Sequence, residues 1–273
     1  MKHLSRAYII LILGILYIPI LTLILFSFNS ANSTAVFEGF SFRWYKELFN
    51  SPETFTALRN TLILAFLSAT LSTVIGTAAA EGIYRMKSKF MKSAIKSVTN
   101  IPMMNPDIVT GMSMMLFFVL VAGILALSYD DMGFTAMLIA HTTFCLPYVI
   151  LSVLPRVNEL GKSLSEAAMD LGCTPLQSFF KVELPNIMPG VLSGFIMAFT
   201  LSLDDFVISY FVGSSKFQTL PLLIYSMTKK KVTPDMYALS TIIIVSIFVL
   251  LIISNVRGEK EKKKAEARKG GKK

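Results

Sequence analysis

Long apolar runs constrain this chain more than any other feature. Ala7 to Phe28, Thr61 to Ala80, Val98 to Leu127, Phe134 to Leu154, Val191 to Gly213 and Tyr237 to Ser254 approach or exceed the roughly 20 residues a helix needs to cross about 30 Å of hydrocarbon. A water-soluble core has no use for so many, and in lipid only helices and closed barrels satisfy every backbone N–H and C=O. The predicted fold class is an all-α membrane protein with six transmembrane helices. Composition agrees, since 53% of the 273 residues are hydrophobic and only 16% are charged. The first run follows Lys2 and Arg6, is too long for a signal-peptide core and has no small-residue cleavage site after it, so it reads as a retained anchor. The third would be about 45 Å long as one straight helix. Pro102 and Pro106 are expected to break it and leave Asp107 at a helix start.

The net charge of +9 does not make this a nucleic-acid binder. Residues Asn255 to Lys273 hold nine Lys/Arg against three Glu, which leaves only +3 elsewhere, and a basic tail is not a basic binding face. Positive charge accumulates on the cytoplasmic side of membrane proteins. With the N-terminus inside, nineteen Lys/Arg fall inside and seven outside, against one discordant outer run, Lys229 to Lys231. Both termini are predicted to be cytoplasmic. The chain divides into a transmembrane domain, 1–257, and a disordered basic tail, 258–273, whose Lys, Glu, Ala and Gly have no apolar face to bury. Cys145 and Cys173 form neither a disulfide framework nor a metal-ligand pair.

One predicted cytoplasmic loop, Pro155 to Gly190, still looks folded. Leu164, Ala167, Ala168 and Leu171 recur at i, i+3, i+4 and i+7, with Gly172 where a C-terminal cap would stand. Thr174-Pro175 starts a second helix with Leu176, Phe179 and Phe180 on its apolar side, until Pro185 and Pro189-Gly190 end it. Two short amphipathic helices exposed beneath a membrane domain suit a groove in a soluble partner. Glu166 and Asp170 share another face, free to meet basic groups. Ser163 and Glu166 also have capping-box spacing, and the two roles of Glu166 are compatible.

Glu166-Ala167-Ala168, Gly172 after three intervening residues, and Val182-Glu183-Leu184-Pro185 resemble the signature loop of permease subunits of bacterial ATP-driven, binding-protein-dependent importers, with Val182 where the family usually has Ile. The resemblance implies a type I importer (MetI-like) fold in the bacterial cell membrane. It makes Glu166, Ala167, Ala168, Asp170, Gly172, Leu184 and Pro185 the residues that couple to an ATPase. It further implies a second permease chain, two ATPase subunits that use ATP and Mg, an extracytoplasmic binding protein, and no cofactor in this chain. Gly161-Lys162-Ser163 ends like a phosphate-binding loop, but Arg156 stands where that loop needs its first glycine.

Ionisable groups inside a bilayer are costly and point to function. The runs contain Asp107, Asp204, Asp205 and His141, with no Lys or Arg, and an acidic pathway suits a cation. The aspartates can equally pair with a partner's cations or satisfy backbone amides at a helix break. His141 reads as a helix-packing hydrogen-bonder, and no catalytic set emerges. Ser202 to Phe206, Leu220-Pro221, Ile224 to Met227, Thr233-Pro234 and Asn105 to Val109 narrow the resemblance to the second permease of spermidine/putrescine importers, with Tyr237 departing from the Asn expected there. Phe40, Phe42, Trp44, Tyr45, Leu48 and Phe49 suit an aromatic belt at the membrane interface. Alternatively Trp44 faces the pathway and holds an alkylammonium by cation–π contact. Asn32-Ser33-Thr34 fits a glycosylation acceptor by chance. The competing functions are the same machine for ferric iron, phosphate or an organic anion, and a passive cation channel with an acidic selectivity ring.

Overall fold

The structure, a computed structural model, describes residues 2–31, 36–126, 128–230, 236–246 and 248–249. Its helices run, in chain order, α1 (Lys2–Ser27), α2 (Arg43–Asn50), α3 (Pro52–Arg85), α4 (Lys89–Met104), α5 (Asp107–Ile124) and α6 (Gly133–Leu160). There follow α7 (Lys162–Asp170), α8 (Pro175–Ser178), α9 (Leu184–Leu203), α10 (Val207–Val212), α11 (Leu220–Lys230) and α12 (Met236–Ser246). Among the described residues no strand forms, and extended backbone meets only at two isolated bridges, Asn29 with Phe40 and Ser214 with Phe217. Among the described residues five spans are long and apolar enough to cross a membrane, and α12 is a shorter apolar helix. The end of the sixth run, the tail 258–273, Thr233-Pro234 and Asn32-Ser33-Thr34 lie outside the described residues.

Residues 2–59 with 220–249 form one compact unit and residues 60–219 another. In the first, Leu48, Ala57, Leu220, Leu223 and Leu239 make the core. Trp44 and Leu48, four residues apart on α2, point the same way and are both buried. Asn29 organises the loop before α2: its amide donates to Val36 O at 2.6 Å and its Oδ1 accepts from Glu38 N at 3.0 Å. The aromatic cluster read from sequence is therefore divided. Phe40, Phe42 and Phe49 are exposed, whereas Trp44 belongs to the interior. Tyr237, the departure from the polyamine pattern, packs edge-on against Phe26 of α1.

In the second unit α3, α6 and α9 approach closely because small residues let them. A Cβ on Gly190 would lie 2.7 Å from Arg156 Cγ and 3.0 Å from Ser152 O, and one on Gly76 would lie 2.7 Å from Val149 Cγ1. The expected break in the third run is present, with α4 ending at Met104 and α5 starting at Asp107. Pro106 is its N-cap, while Pro102 is carried inside α4.

Three other prolines do not act as the sequence suggests. α6 runs through Pro147 and Pro155 to Leu160, so Pro155 does not start the loop. Nor do Pro185 and Pro189 end the second short helix. A π-turn at Phe179–Glu183 joins α8 to α9, with Leu184 N–H reaching back to Phe179 O, and Pro185 then stands in the first turn of α9. The widened turn lies where the Pro185 ring would otherwise clash with the Lys181 carbonyl. At the other end the fifth crossing is not one helix: α9 stops at Leu203 and α10 resumes at Val207.

Candidate functional site

The connection from α6 to α9 is built by turn chemistry. Gly161, at φ +72°, separates α6 from α7. α7 ends in a Schellman turn: Gly172 N–H bonds Met169 O at 2.9 Å and Cys173 N–H bonds Ala168 O at 3.1 Å, with Gly172 at φ +90°. Thr174 then caps α8, accepting from Gln177 N at 3.3 Å while Gln177 Oε1 accepts from Thr174 N at 3.1 Å. The hydroxyls of Ser165 and Ser178, 3.1 Å apart, join the two helices. The capping box predicted at Ser163 does not form. Gly161 is the N-cap of α7 and Ser163 already lies inside the first turn, which leaves Glu166 free of that duty.

Of the predicted coupling residues, Glu166, Ala167 and Asp170 are exposed on α7, Ala168 is buried, Gly172 is the left-handed turn, and Leu184 and Pro185 open α9. Three large members of the predicted apolar stripe face outward, Leu171 87% exposed, Leu176 71% and Phe180 60%, while Ala168 turns inward and Phe179 is half-buried. Behind it lies a cluster that sequence reasoning missed. Arg85, the last residue of α3, donates Nη2 to both oxygens of Glu183, at 2.9 and 3.1 Å, and Nε to Glu81 one turn back on its own helix. Glu183 is 4% exposed and Glu81 is also buried. A cleft of about 220 Å³ opens beside them, lined by Glu81, Tyr84, Arg85, Glu166, Met169 and Glu183.

The predicted pathway carboxylates separate in the structure. Asp204 is the C-cap of α9 and is exposed, as is Asp107 at the first turn of α5. Asp205 turns inward, its side chain 7% exposed, and caps α10 by accepting from Ile208 N at 3.3 Å and Ser209 N at 2.8 Å. Its Oδ2 lies 3.5 Å from His141 Nε2, which also meets Ser209 Oγ at 3.1 Å. His141 Nδ1 meets Ser202 Oγ at 2.7 Å, and that hydroxyl accepts from Ser68 Oγ at 2.9 Å. Four helices, α3, α6, α9 and α10, are thus stitched together at the break. His141 is the packing hydrogen-bonder its surroundings suggested. Trp44, in the other unit, is 6% exposed, donates its indole N–H to Asn29 O at 2.7 Å, and has the Arg43 guanidinium over its ring at 4.9 Å.

Residues 72–257 match the family described as the binding-protein-dependent transport system inner membrane component. The spermidine/putrescine transport system permease protein PotC of Haemophilus influenzae is 39% identical over 93% of this chain and 95% of its own length. The putrescine transport system permease protein PotI of Escherichia coli K12 is also 39% identical, over 93% of this chain and 92% of its own. Among solved structures, a bacterial ABC transporter involved in import of the acidic polysaccharide alginate shares the fold at a TM-score of 0.76 and 17% identity, over 95% of this chain and 94% of that one. The MetNI methionine ABC transporter in an inward-facing conformation does so at 0.60 and 19%, over 77% and 98%.

Proposed function

Because the chain belongs to the family of binding-protein-dependent transport system inner membrane components, a multi-pass family of the bacterial inner membrane, we propose that it is the permease subunit of an ATP-driven importer that moves spermidine and putrescine into the cell. It pairs with a second permease chain, two ATPase subunits and an extracytoplasmic polyamine-binding protein. Its own residues hydrolyse nothing; ATP and Mg are used by the partner ATPase. Both termini and the α6–α9 connection face the cytoplasm, in keeping with the Lys/Arg distribution.

The observation that carries this reading is the outward-turned α7–α8 pair. Leu171 at the C-cap of α7, Leu176 on α8 and Phe180 in the π-turn stand in the open, on a segment whose helix ends are fixed by a Schellman turn and a capping box. An apolar knob of that kind fits a groove on the ATPase, with Glu166 and Asp170 beside it for basic groups there. ATP-driven closure of the two ATPase subunits moves the knob. The helices continuous with it then switch the paired permeases between outward-open and inward-open states. The polyamine assignment rests on the named relatives, which match over 93% of the chain, and on the exposed carboxylates Asp107 and Asp204, which suit an alkylammonium. Asp205 contributes by fixing the helix break that presents Asp204, and Trp44 by anchoring the loop before α2.

The test is ATP-dependent uptake of labelled spermidine and putrescine into proteoliposomes holding the full complex, with wild-type and Asp204→Asn chains compared. Uptake should fall at least tenfold in the variant while the complex still assembles. A wild-type complex that turns over ATP and moves neither polyamine would remove the substrate assignment and leave the coupling reading standing.

A further inference from the structure

We propose that Arg85 is a positioning residue that latches α3 to the coupling connection, so that α3 and α9 take up the connection's movement as one body. The inference rests on the coupling reading above and extends it to a helix that has no chain link to the connection. α8, the π-turn and α9 are one continuous path, so displacement of α8 reaches α9 directly. α3 ends 98 residues earlier in the sequence, and its end meets that path through the Arg85–Glu183 ion pair. The pair is made at the π-turn, the point where the path changes from short helix to crossing.

Three features make the contact a latch rather than a passing surface pair. Both oxygens of Glu183 are engaged by one guanidinium nitrogen, and the carboxylate is almost wholly buried. The same guanidinium serves Glu81, whose second oxygen, Oε2, is buried without a hydrogen-bond partner. Withdrawing Arg85 would strand two buried carboxylates. Arg85 itself is 45% exposed but the two carboxylates are buried, and a buried carboxylate left without its cation costs more than loss of a fully exposed pair. Separation of α3 from the turn during the ATP cycle is therefore disfavoured, and joint movement is the favoured response to a push on α7 and α8.

The test uses the full complex, two permeases, two ATPase subunits and binding protein, in proteoliposomes. Two quantities are read: putrescine imported per ATP hydrolysed, and stimulation of hydrolysis by the loaded binding protein. Arg85→Ala should lower the import ratio and the stimulation at least tenfold, with basal hydrolysis within twofold of wild type. Arg85→Lys should restore more than half of the ratio, because an ammonium can still reach Glu183. An unchanged ratio in Arg85→Ala, or a fall of uptake and hydrolysis in equal measure, overturns the latch.

Should Arg85→Ala not assemble, Arg85→Cys with Glu183→Cys in a Cys173→Ser background, joined by a short bismaleimide, decides the matter. The unjoined double variant lacks the ion pair and should import at least tenfold less per ATP than wild type; joining should restore more than half of the wild-type ratio, and a joined chain no better than the unjoined one overturns the proposal. If the wild type imports no polyamine, binding-protein stimulation of hydrolysis still reports the latch, so failure of the substrate reading is seen separately.

Discussion

Between α6 and α9 the chain turns large apolar side chains outward, and between α9 and α10 it turns polar ones inward. Both are interruptions of helix, and each reverses the usual distribution in its own way. Leu171, Leu176 and Phe180 are largely uncovered among the described residues, with only the Phe179 ring against Phe180, and in the proposed function their cover is the ATPase. His141, Asp205, Ser202, Ser209 and Ser68 find their partners among themselves. They are satisfied inside one chain and fix where the fifth crossing breaks. In the proposed function the first interruption is a contact surface, whereas the second is a brace. The comparison also distinguishes the two neighbouring aspartates, since Asp205 belongs to the brace and Asp204 remains available at its edge.

The strongest way to break that contrast is to charge the outward stripe. Leu171→Asp with Phe180→Asp should weaken capture of the ATPase subunits by about 30-fold or more, the consequence of losing at least about 2 kcal/mol from a central apolar anchor. The isolated chain should unfold within about 0.5 kcal/mol of wild type, because neither side chain is buried in it. Affinity copurification with the ATPase and unfolding in detergent micelles read the two effects. A destabilised chain with normal capture would mean that the stripe packs within this chain.

The brace should respond in the opposite sense. His141→Ala leaves Ser202, Ser209 and Asp205 short of a partner in a dry site, at a cost of about 1–3 kcal/mol, nearer the lower end if hydrogen bonds between membrane helices average about 0.6 kcal/mol each. Stability in micelles should fall, and uptake per folded complex should stay within about threefold of wild type. Unchanged stability with lost uptake would move His141 out of the brace and into the transport path.

How much of this was legible in the sequence follows the same division. The α7–α8 pair is made by local signals, and Gly172 and Thr174-Pro175 were readable because a left-handed turn and a first-turn proline each have short-range causes. Ser163 and Glu166 show the limit of such signals: the capping spacing is present, but Gly161 begins the helix earlier. Proline was over-read for a different reason. Pro155 and Pro189 sit inside helices packed closely on neighbours, where a lost hydrogen bond is tolerated, and a π-turn adjusts the chain before Pro185. The pairings within the two polar clusters could not be read, although the packing role of His141 could. Glu183 meets Arg85 across 98 residues, and His141 meets Ser202 and Ser209 across 61 and 68. No periodicity or spacing encodes such pairs. His141 and Asp205 were visible as ionisable groups inside apolar runs, Arg85 and Glu183 were not singled out, and the partners of all four were set by how closely α3, α6 and α9 approach.

The smallest effect should come from the turn that presents the stripe, and its sign depends on backbone rather than contact. Gly172 holds φ +90° with open space around the place a Cβ would occupy, so Gly172→Ala meets no clash with a neighbour. It pays only the conformational cost of a left-handed turn, about 1–2 kcal/mol. That cost is confined to the Gly172 and Cys173 bonds to Met169 and Ala168. Faster hydrogen exchange at those two amides is therefore expected, with uptake lowered only a few-fold and capture of the ATPase retained. Gly172→Asn should be milder, since asparagine adopts this conformation more readily than alanine. Equal effects from the two substitutions would mean that side-chain bulk at this point, facing the ATPase, decides the outcome, and the contact surface would then extend from Leu171 across the turn itself.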